Sequence, residues 1–108
     1  MFDQFYTTLE SLGIVPVVVL DKVEDAAPLA HALMAAGMKS AEVTFRTACA
    51  AECIAAMAEA EPEMCVGAGT ALTVEQVEQA RAAGAKFIVS PGYNEDVVNH
   101  CIDIDLPV

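Results

Sequence analysis

Five short apolar segments recur along this chain at a regular, slowly shrinking interval, and a stretch with helical periodicity separates each from the next. They begin near residues 14, 40, 64, 86 and 106. Gly13–Leu20 reads as a strand buried on both faces, with Pro16 near its beginning. From about Glu24 to Ala36 the pattern turns helical, with Leu29 and Leu33 on one face, Pro28 in the first turn and Gly37 as the stop. Ser40–Phe45 is predicted as a second strand, Ala48–Ala60 as a helix and Met64–Gly67 as a third strand. Thr73-x-x-Gln76 opens a helix over Val74–Ala83 as a capping box, and Gly84 closes it. Lys86–Ser90 reads as a fourth strand, Asn94 as the cap of a helix beginning Glu95-Asp96, and Leu106–Val108 as the start of a fifth strand.

Such alternation implies parallel strands joined by right-handed crossovers. Within it, Ala35-Ala36-Gly37-Met38-Lys39 and Ala82-Ala83-Gly84-Ala85-Lys86 echo one another at an offset of 47 residues. Internal duplication produces that echo, and so does any helix that ends in glycine before a strand. Two architectures accept the pattern. A five-stranded doubly wound sheet suits the 108 residues but normally carries a helix after its last strand. An eight-stranded (β/α) barrel suits the uniform beat but needs roughly 200 residues or more, and this chain stops as strand five begins. In either case the expectation is one α/β domain over residues 1–108.

Composition removes several functions. Although 56% of residues are apolar, the longest unbroken run is Ile14–Leu20, far short of the ~20 residues that span a bilayer. Met1-Phe2-Asp3-Gln4 has neither the basic region nor the following apolar stretch of a secretory leader, so a cytoplasmic location is expected. Sixteen acidic residues against five basic ones give a net charge of −11, with no basic stripe to displace counterions from a nucleic acid. An anionic ligand must therefore be held locally, which draws attention to the few arginines. Cys49, Cys53, Cys65 and Cys101 show no zinc spacing with His31 or His100, and reduced, buried thiols are expected rather than a metal site.

The second strand carries the chemistry. Period-two geometry puts Ala41, Val43 and Phe45 on one face and Glu42, Thr44 and Arg46 on the other. In a parallel sheet both faces are normally covered, so the polar face points into a lumen or crevice. The Cα atoms of Glu42 and Arg46 lie ~13 Å apart at ~3.3 Å per residue, so a direct bond requires the arginine to fold back. With Glu42 deep and desolvated and Arg46 at the C-terminal rim, the pair has the layout of a general acid/base and an anion clamp. A salt bridge inside a core is the alternative. Gly67-Ala68-Gly69-Thr70 follows the third strand, where glycines let backbone N–H groups approach a ligand and Thr70 adds a hydroxyl. Ser90-Pro91-Gly92 ends the fourth strand in the same way. All of these lie at C-terminal strand ends, where α/β folds place their sites.

Together, Gly13–Leu20, Glu42-Val43-Thr44-Phe45-Arg46-Thr47, Gly67-Ala68-Gly69-Thr70 and Phe87-Ile88-Val89-Ser90-Pro91-Gly92 resemble the 2-keto-3-deoxy-6-phosphogluconate / 4-hydroxy-2-oxoglutarate aldolase family, in order from about residue 10 to the end. The resemblance favours the (β/α)8 TIM barrel, here the first four βα units plus the start of strand five. It implies a class I aldolase of carbohydrate metabolism, usually trimeric, that needs no cofactor or metal. Its lysine forms a Schiff base with pyruvate or the keto-acid substrate. Carried onto this chain, the roles are Glu42 as acid/base, Arg46 and Thr70 as holders of the pyruvate carboxylate, and Pro91 as pocket wall. The family's Schiff-base lysine lies on the sixth strand, beyond residue 108, as do the phosphate-binding loops. Lys39 and Lys86 lie at strand beginnings, and Lys22 follows the first strand without a feature that would activate it. The 108 residues alone are therefore expected to be inactive, to self-associate or to bind a complementary half. The rival readings are an inactive half-barrel that binds a small anion and a small doubly wound binding module.

Overall fold

The computed structural model describes residues 1–108. Helix α1 (Asp3–Leu12) precedes the first strand, β1 (Val17–Val18), and a 3-10 turn over Val23–Asp25 leads into α2 (Ala26–Ala35). Then come β2 (Ser40–Thr44), α3 (Ala50–Ala60), β3 (Cys65–Gly69), α4 (Val74–Ala83) and α5 (Glu95–Asp103). The strands are parallel and stand in chain order, β1-β2-β3. Beyond β3 the Lys86–Val89 segment continues the sheet, and Ile88 N–H donates to Pro107 at 2.8 Å where the next strand begins.

Helices α2, α3, α4 and α5 pack side by side, each against the next, in one layer on one face of this sheet. A doubly wound sheet reverses its strand order and places helices on both faces. The strands here keep chain order without a reversal, so the doubly wound alternative is excluded. The core lies between sheet and helix layer. Val18, Val43, Val66 and Ile88 meet Ile54, Met57, Val77 and Val97 there, all nearly or fully buried. Each large side chain so buried contributes about 1.5–3 kcal/mol.

The helix ends follow local chemistry. The Thr73 hydroxyl accepts from Gln76 N–H at 3.2 Å, and Asn94 Oδ1 accepts from Val97 N–H at 3.1 Å. The Gln76 carboxamide reaches one residue further back than a capping box requires and accepts from Leu72 N–H at 2.8 Å. Gly37 and Gly84 stand at φ 82° and 101°. Around them, Met38 N–H donates to Leu33 and Ala85 N–H to Ala80, both at 2.9 Å. The echo between the two segments is thus two copies of one Schellman stop. The end of α5 repeats it, with Leu106 N–H donating to Cys101 and Asp105 taking φ 55° in the place of a glycine.

Three features depart from expectation. Helix α1 is one of them. Its stripe of Phe2, Phe5, Leu9 and Leu12 has helical spacing, and it lies on the sheet face away from the other helices, with Phe5 against Phe87 at 5.3 Å between ring centroids. The first strand is not buried on both faces. It pairs with β2 alone, so Ile14, Val17 and Val19 stay 64%, 60% and 50% exposed while Val18 is buried. The fourth strand shrinks to a single bridge, Ala68 to Ile88. Val66 and Ala68 carbonyls, two residues apart, accept from Lys86 and Val89 N–H, three residues apart, which is a one-residue bulge. No helix is long and apolar enough to cross a membrane.

Candidate active site

The face of the sheet turned away from α2–α5 holds the polar residues of β2. Parallel register places Val17, Glu42 and Gly67 abreast, and Thr44 beside Gly69. Ala41 and Val43 are buried in the core on the other side, as the alternation predicts, and Phe45 packs against its edge. Two hydroxyls tie β2 and its exit to β1. Thr44 Oγ1, fully buried, donates to the Val18 carbonyl at 3.4 Å, and Thr47 Oγ1 donates to Leu20 at 2.7 Å. Neither threonine has a role predictable from composition or motif. For Thr44 the signal is its alternation with Glu42 and Arg46; Thr47 lies beyond the strand and carries none.

Glu42 is half-buried, and burial pushes its carboxyl above the ordinary carboxylate range while the Arg46 guanidinium draws it back down. Arg46 does not fold onto Glu42. Its guanidinium is exposed at the C-terminal edge, and Nε donates to Thr70 Oγ1 at 3.3 Å. That bond crosses from the end of β2 to the end of β3. Thr70 makes it with φ at 54°, a conformation that a β-branched residue adopts only under constraint from its surroundings.

The glycines of β3 have a different use from the one their spacing suggested. A Cβ on Gly69 would fall 1.8 Å from Glu42 Oε1, and one on Gly67 would fall 2.3 Å from Phe87 Cζ. Two residues apart on one strand, both face the same side, and the room they leave is filled by side chains from the neighbouring strands. A cleft of about 400 Å³ opens beside them, lined by Glu42, Phe5, Leu9, Val15, Phe87 and Ser90 among others.

Pro91 stands exposed at the same edge as Arg46 and Thr70. Its neighbours Ser90 and Gly92 line the cleft, and Ser90 Oγ donates to the Gly92 carbonyl at 2.8 Å to close the turn. The structure therefore brings Arg46 and Thr70 together, places Glu42 deeper on the same face, and leaves Pro91 outside the cleft lining. No lysine lines the cleft. Lys22, Lys39 and Lys86 are exposed, and Lys86 Nζ donates to the Pro62 carbonyl at 3.3 Å on the far side of the sheet from the Arg46 edge. All four cysteines are free thiols. Cys53 Sγ donates to Cys49 Sγ at 3.7 Å, and burial, with Cys49 beside it, pushes the Cys53 thiol up to about 12.

Chemically, a carboxyl raised above its ordinary range by burial beside an apolar cleft can give and take protons. A guanidinium bonded to a hydroxyl at the rim can hold a small carboxylate in an otherwise anionic protein.

Known proteins carry the same arrangement of sequence and fold. A family model described as KDPG and KHG aldolase matches residues 6–108. A 2-dehydro-3-deoxy-phosphogluconate aldolase of Treponema pallidum is 52% identical over 103 residues, covering 95% of this chain and 49% of that protein. Its counterpart in Haemophilus influenzae is 42% identical over 105 residues, covering 97% of this chain and 50% of that protein. Among solved structures, KDPG aldolase of Legionella pneumophila, with pyruvate captured as a covalent carbinolamine intermediate, superposes with TM-score 0.81 at 38% identity, over 86% of this chain and 45% of its own. The 2-keto-3-deoxy-6-phosphogluconate aldolase of Zymomonas mobilis, with 3-phosphoglycerate, gives TM-score 0.79 at 44% identity, over 84% of this chain and 43% of its own. The chain thus spans about half the length of the curated relatives it matches.

Proposed function

The chain belongs to the KDPG and KHG aldolase family, and on that footing we propose that it forms the proton-transfer and carboxylate-holding half of a class I aldolase. The reaction is cleavage of 2-keto-3-deoxy-6-phosphogluconate, 4-hydroxy-2-oxoglutarate or both to pyruvate and an aldehyde. The observation that carries the reading is the pairing of a half-buried Glu42, its carboxyl raised by burial, with an Arg46 that donates to Thr70 at the strand ends.

In this reading Glu42 shuttles protons for carbinolamine formation and dehydration. Arg46 and Thr70 hold the pyruvate carboxylate, and Pro91 borders the substrate at the rim. The iminium is the electron sink for C–C cleavage, and the lysine that forms it lies outside these 108 residues. The exposure of Lys22, Lys39 and Lys86 supports that assignment, since none stands in an apolar pocket. The residues form the first four βα units and the start of the fifth strand of a (β/α)8 barrel, in a cytoplasmic enzyme that assembles as a trimer.

Incubation with pyruvate and borohydride, followed by intact mass measurement, tests this. An imine trapped on a chain that contains these 108 residues and a further half is the expected result. An adduct on Lys22, Lys39 or Lys86 overturns the placement of the nucleophile. No adduct on any form of the protein overturns the Schiff-base reading.

A second reading has a specific observation behind it. Ile14, Val17 and Val19 are apolar and exposed on an edge strand, which suits a half-barrel that associates through this face and binds a small anion without turnover.

A further inference from the structure

Three contacts fill space on the open face of the sheet in a way that the proposed chemistry does not require: Phe5 on Phe87, Phe87 over Gly67, and Glu42 over Gly69. The last of these touches the proposed acid/base. Glu42 leaves β2 and lies across β3, so closely that a methyl group on Gly69 would stand 1.8 Å from Oε1, 2.6 Å from Cδ and 2.8 Å from Cγ. No rotation of a methyl relieves three contacts of that kind. The carboxyl itself must leave.

Gly69 is not required to be glycine by its backbone. The glycines with φ in the left-handed region are Gly13, Gly37 and Gly84, and Gly69 is not among them. Its Cα also pairs in regular register with Thr44. Alanine fits the strand conformation here, and what it does not fit is Glu42. Nor does the neighbouring core explain the glycine, since the nearest atoms to its missing Cβ all belong to the Glu42 side chain.

We propose that Gly69 is a positioning residue for proton transfer: its bare Cα is the seat that holds the Glu42 carboxyl down on β3, inside the cleft and one residue short of Thr70 at the rim. The inference rests on the aldolase reading for its catalytic consequence, while the seat itself stands on geometry. Two opposed influences act on the carboxyl, burial from the cleft and the charge of Arg46. Seated on Gly69, it experiences the first more than the second. Displaced, it loses the cover of the cleft and turns toward water, and its proton affinity falls. The other titratable groups on this face are Tyr6 of α1, which lines the same cleft, and Cys65 at the opposite end of β3. Lys86, on the neighbouring segment, acts on Cys65.

A size-complementation cycle tests the seat. Gly69→Ala is made alone and together with Glu42→Ala, and the melting midpoint and the pKa of the Glu42 side chain are followed, the latter by carboxyl NMR titration. The single variant is expected to melt about 10 °C lower, or not to fold, with the Glu42 pKa moved toward the ordinary carboxylate value wherever it can be read. In the Glu42→Ala background the same change is expected to leave the midpoint within about 2 °C. Equal loss in both backgrounds, or failure to fold in both, overturns the seat. An unmoved Glu42 pKa in a folded Gly69→Ala protein overturns the positioning role.

Turnover separates this inference from the functional reading. In the longer polypeptide that carries the Schiff-base lysine, Gly69→Ala is expected to lower kcat by about 100-fold, within the range that general acid–base catalysis supplies, with KM for the keto acid nearly unchanged. Its pH profile should shift with the carboxyl. If the unsubstituted longer polypeptide, with these 108 residues and the further half that carries the lysine, cleaves no keto acid, the aldolase reading fails, and the thermal cycle and the titration still decide whether Gly69 seats Glu42.

Discussion

Arg46 donates through Nε to the hydroxyl of Thr70, 3.3 Å away, and Thr70 holds that hydroxyl in place with its backbone at φ 54°. One hydrogen bond thus links the C-terminal ends of two adjacent strands, at the edge where the sheet opens toward the cleft. Its acceptor occupies a conformation that costs roughly 1–2 kcal/mol for a residue with a Cβ. Unfavourable backbone conformations that survive in a folded protein gather where a side chain must be aimed.

Two substitutions of Thr70 should therefore part stability from binding. Thr70→Gly is expected to raise stability by about 1 kcal/mol through relief of the positive φ. Thr70→Ala keeps the conformation, loses the hydroxyl and should be no more stable than the parent. Both should weaken binding of pyruvate, read as a higher KM for the keto acid, because each leaves Arg46 without its partner. Chemical denaturation and steady-state kinetics on the same two proteins check this. A Thr70→Gly protein that gains no stability would show that the surroundings do not strain the backbone.

Glu42→Gln removes the titrating group while keeping its shape. Turnover should fall by roughly 100- to 10,000-fold, with binding of a small carboxylate at Arg46 close to unchanged. The pH dependence of stability follows from the direction of the shift. The folded-state pKa of Glu42 lies above the ordinary carboxylate value, so the native state binds the proton more tightly than the unfolded chain. The stability contributed by the protonated form is fully present below the unfolded value and is lost as pH rises through the folded one. The difference in melting midpoint, parent minus Gln variant, should accordingly fall as pH climbs from about 4 toward neutrality. A difference that is flat over that window would mean that Glu42 is not held in a desolvated site.

The three Schellman stops offer an internal comparison. Gly37 and Gly84 take positive φ without a side chain, whereas Asp105 does so with one. Asp105→Gly is expected to stabilise the fold by about 1 kcal/mol, a rise of roughly 4–8 °C in Tm for a chain of this size. Gly37→Ala, where an added Cβ would meet nothing within 4 Å, should lower stability by about 1 kcal/mol through conformation alone. Opposite signs for the two changes in thermal melts are the check.

These cases also mark what was legible before the fold was known. The stop glycines, the Thr73 and Asn94 caps and the two faces of β2 were all readable, because each depends on residues within about four positions along the chain. Glu42 and Arg46 were readable as candidates for the same reason, since period two places polar groups on one face of a strand, and Thr70 because it follows the glycines at the end of the third strand. The pairing of Arg46 with Thr70 rather than with Glu42 was not, because it depends on how far apart two strand ends lie.

By itself, the sequence determined the alternation of strand and helix, the points where helices begin and end, and which side of β2 is polar. Tertiary structure alone decided that Gly67 and Gly69 make room for Phe87 and Glu42 rather than for a ligand. It decided that the first strand is an edge with one face open, and that α1 lies across the open side of the sheet. The physical reason is the range of the interactions. Backbone hydrogen bonds in helices and the pleat of a strand are set by near neighbours, and so they leave a period in the sequence. The space beside a Cα is set by whichever side chain the sheet brings alongside, from a segment far away in the chain, and a glycine looks the same whether it admits a ligand, a phenyl ring or a carboxyl.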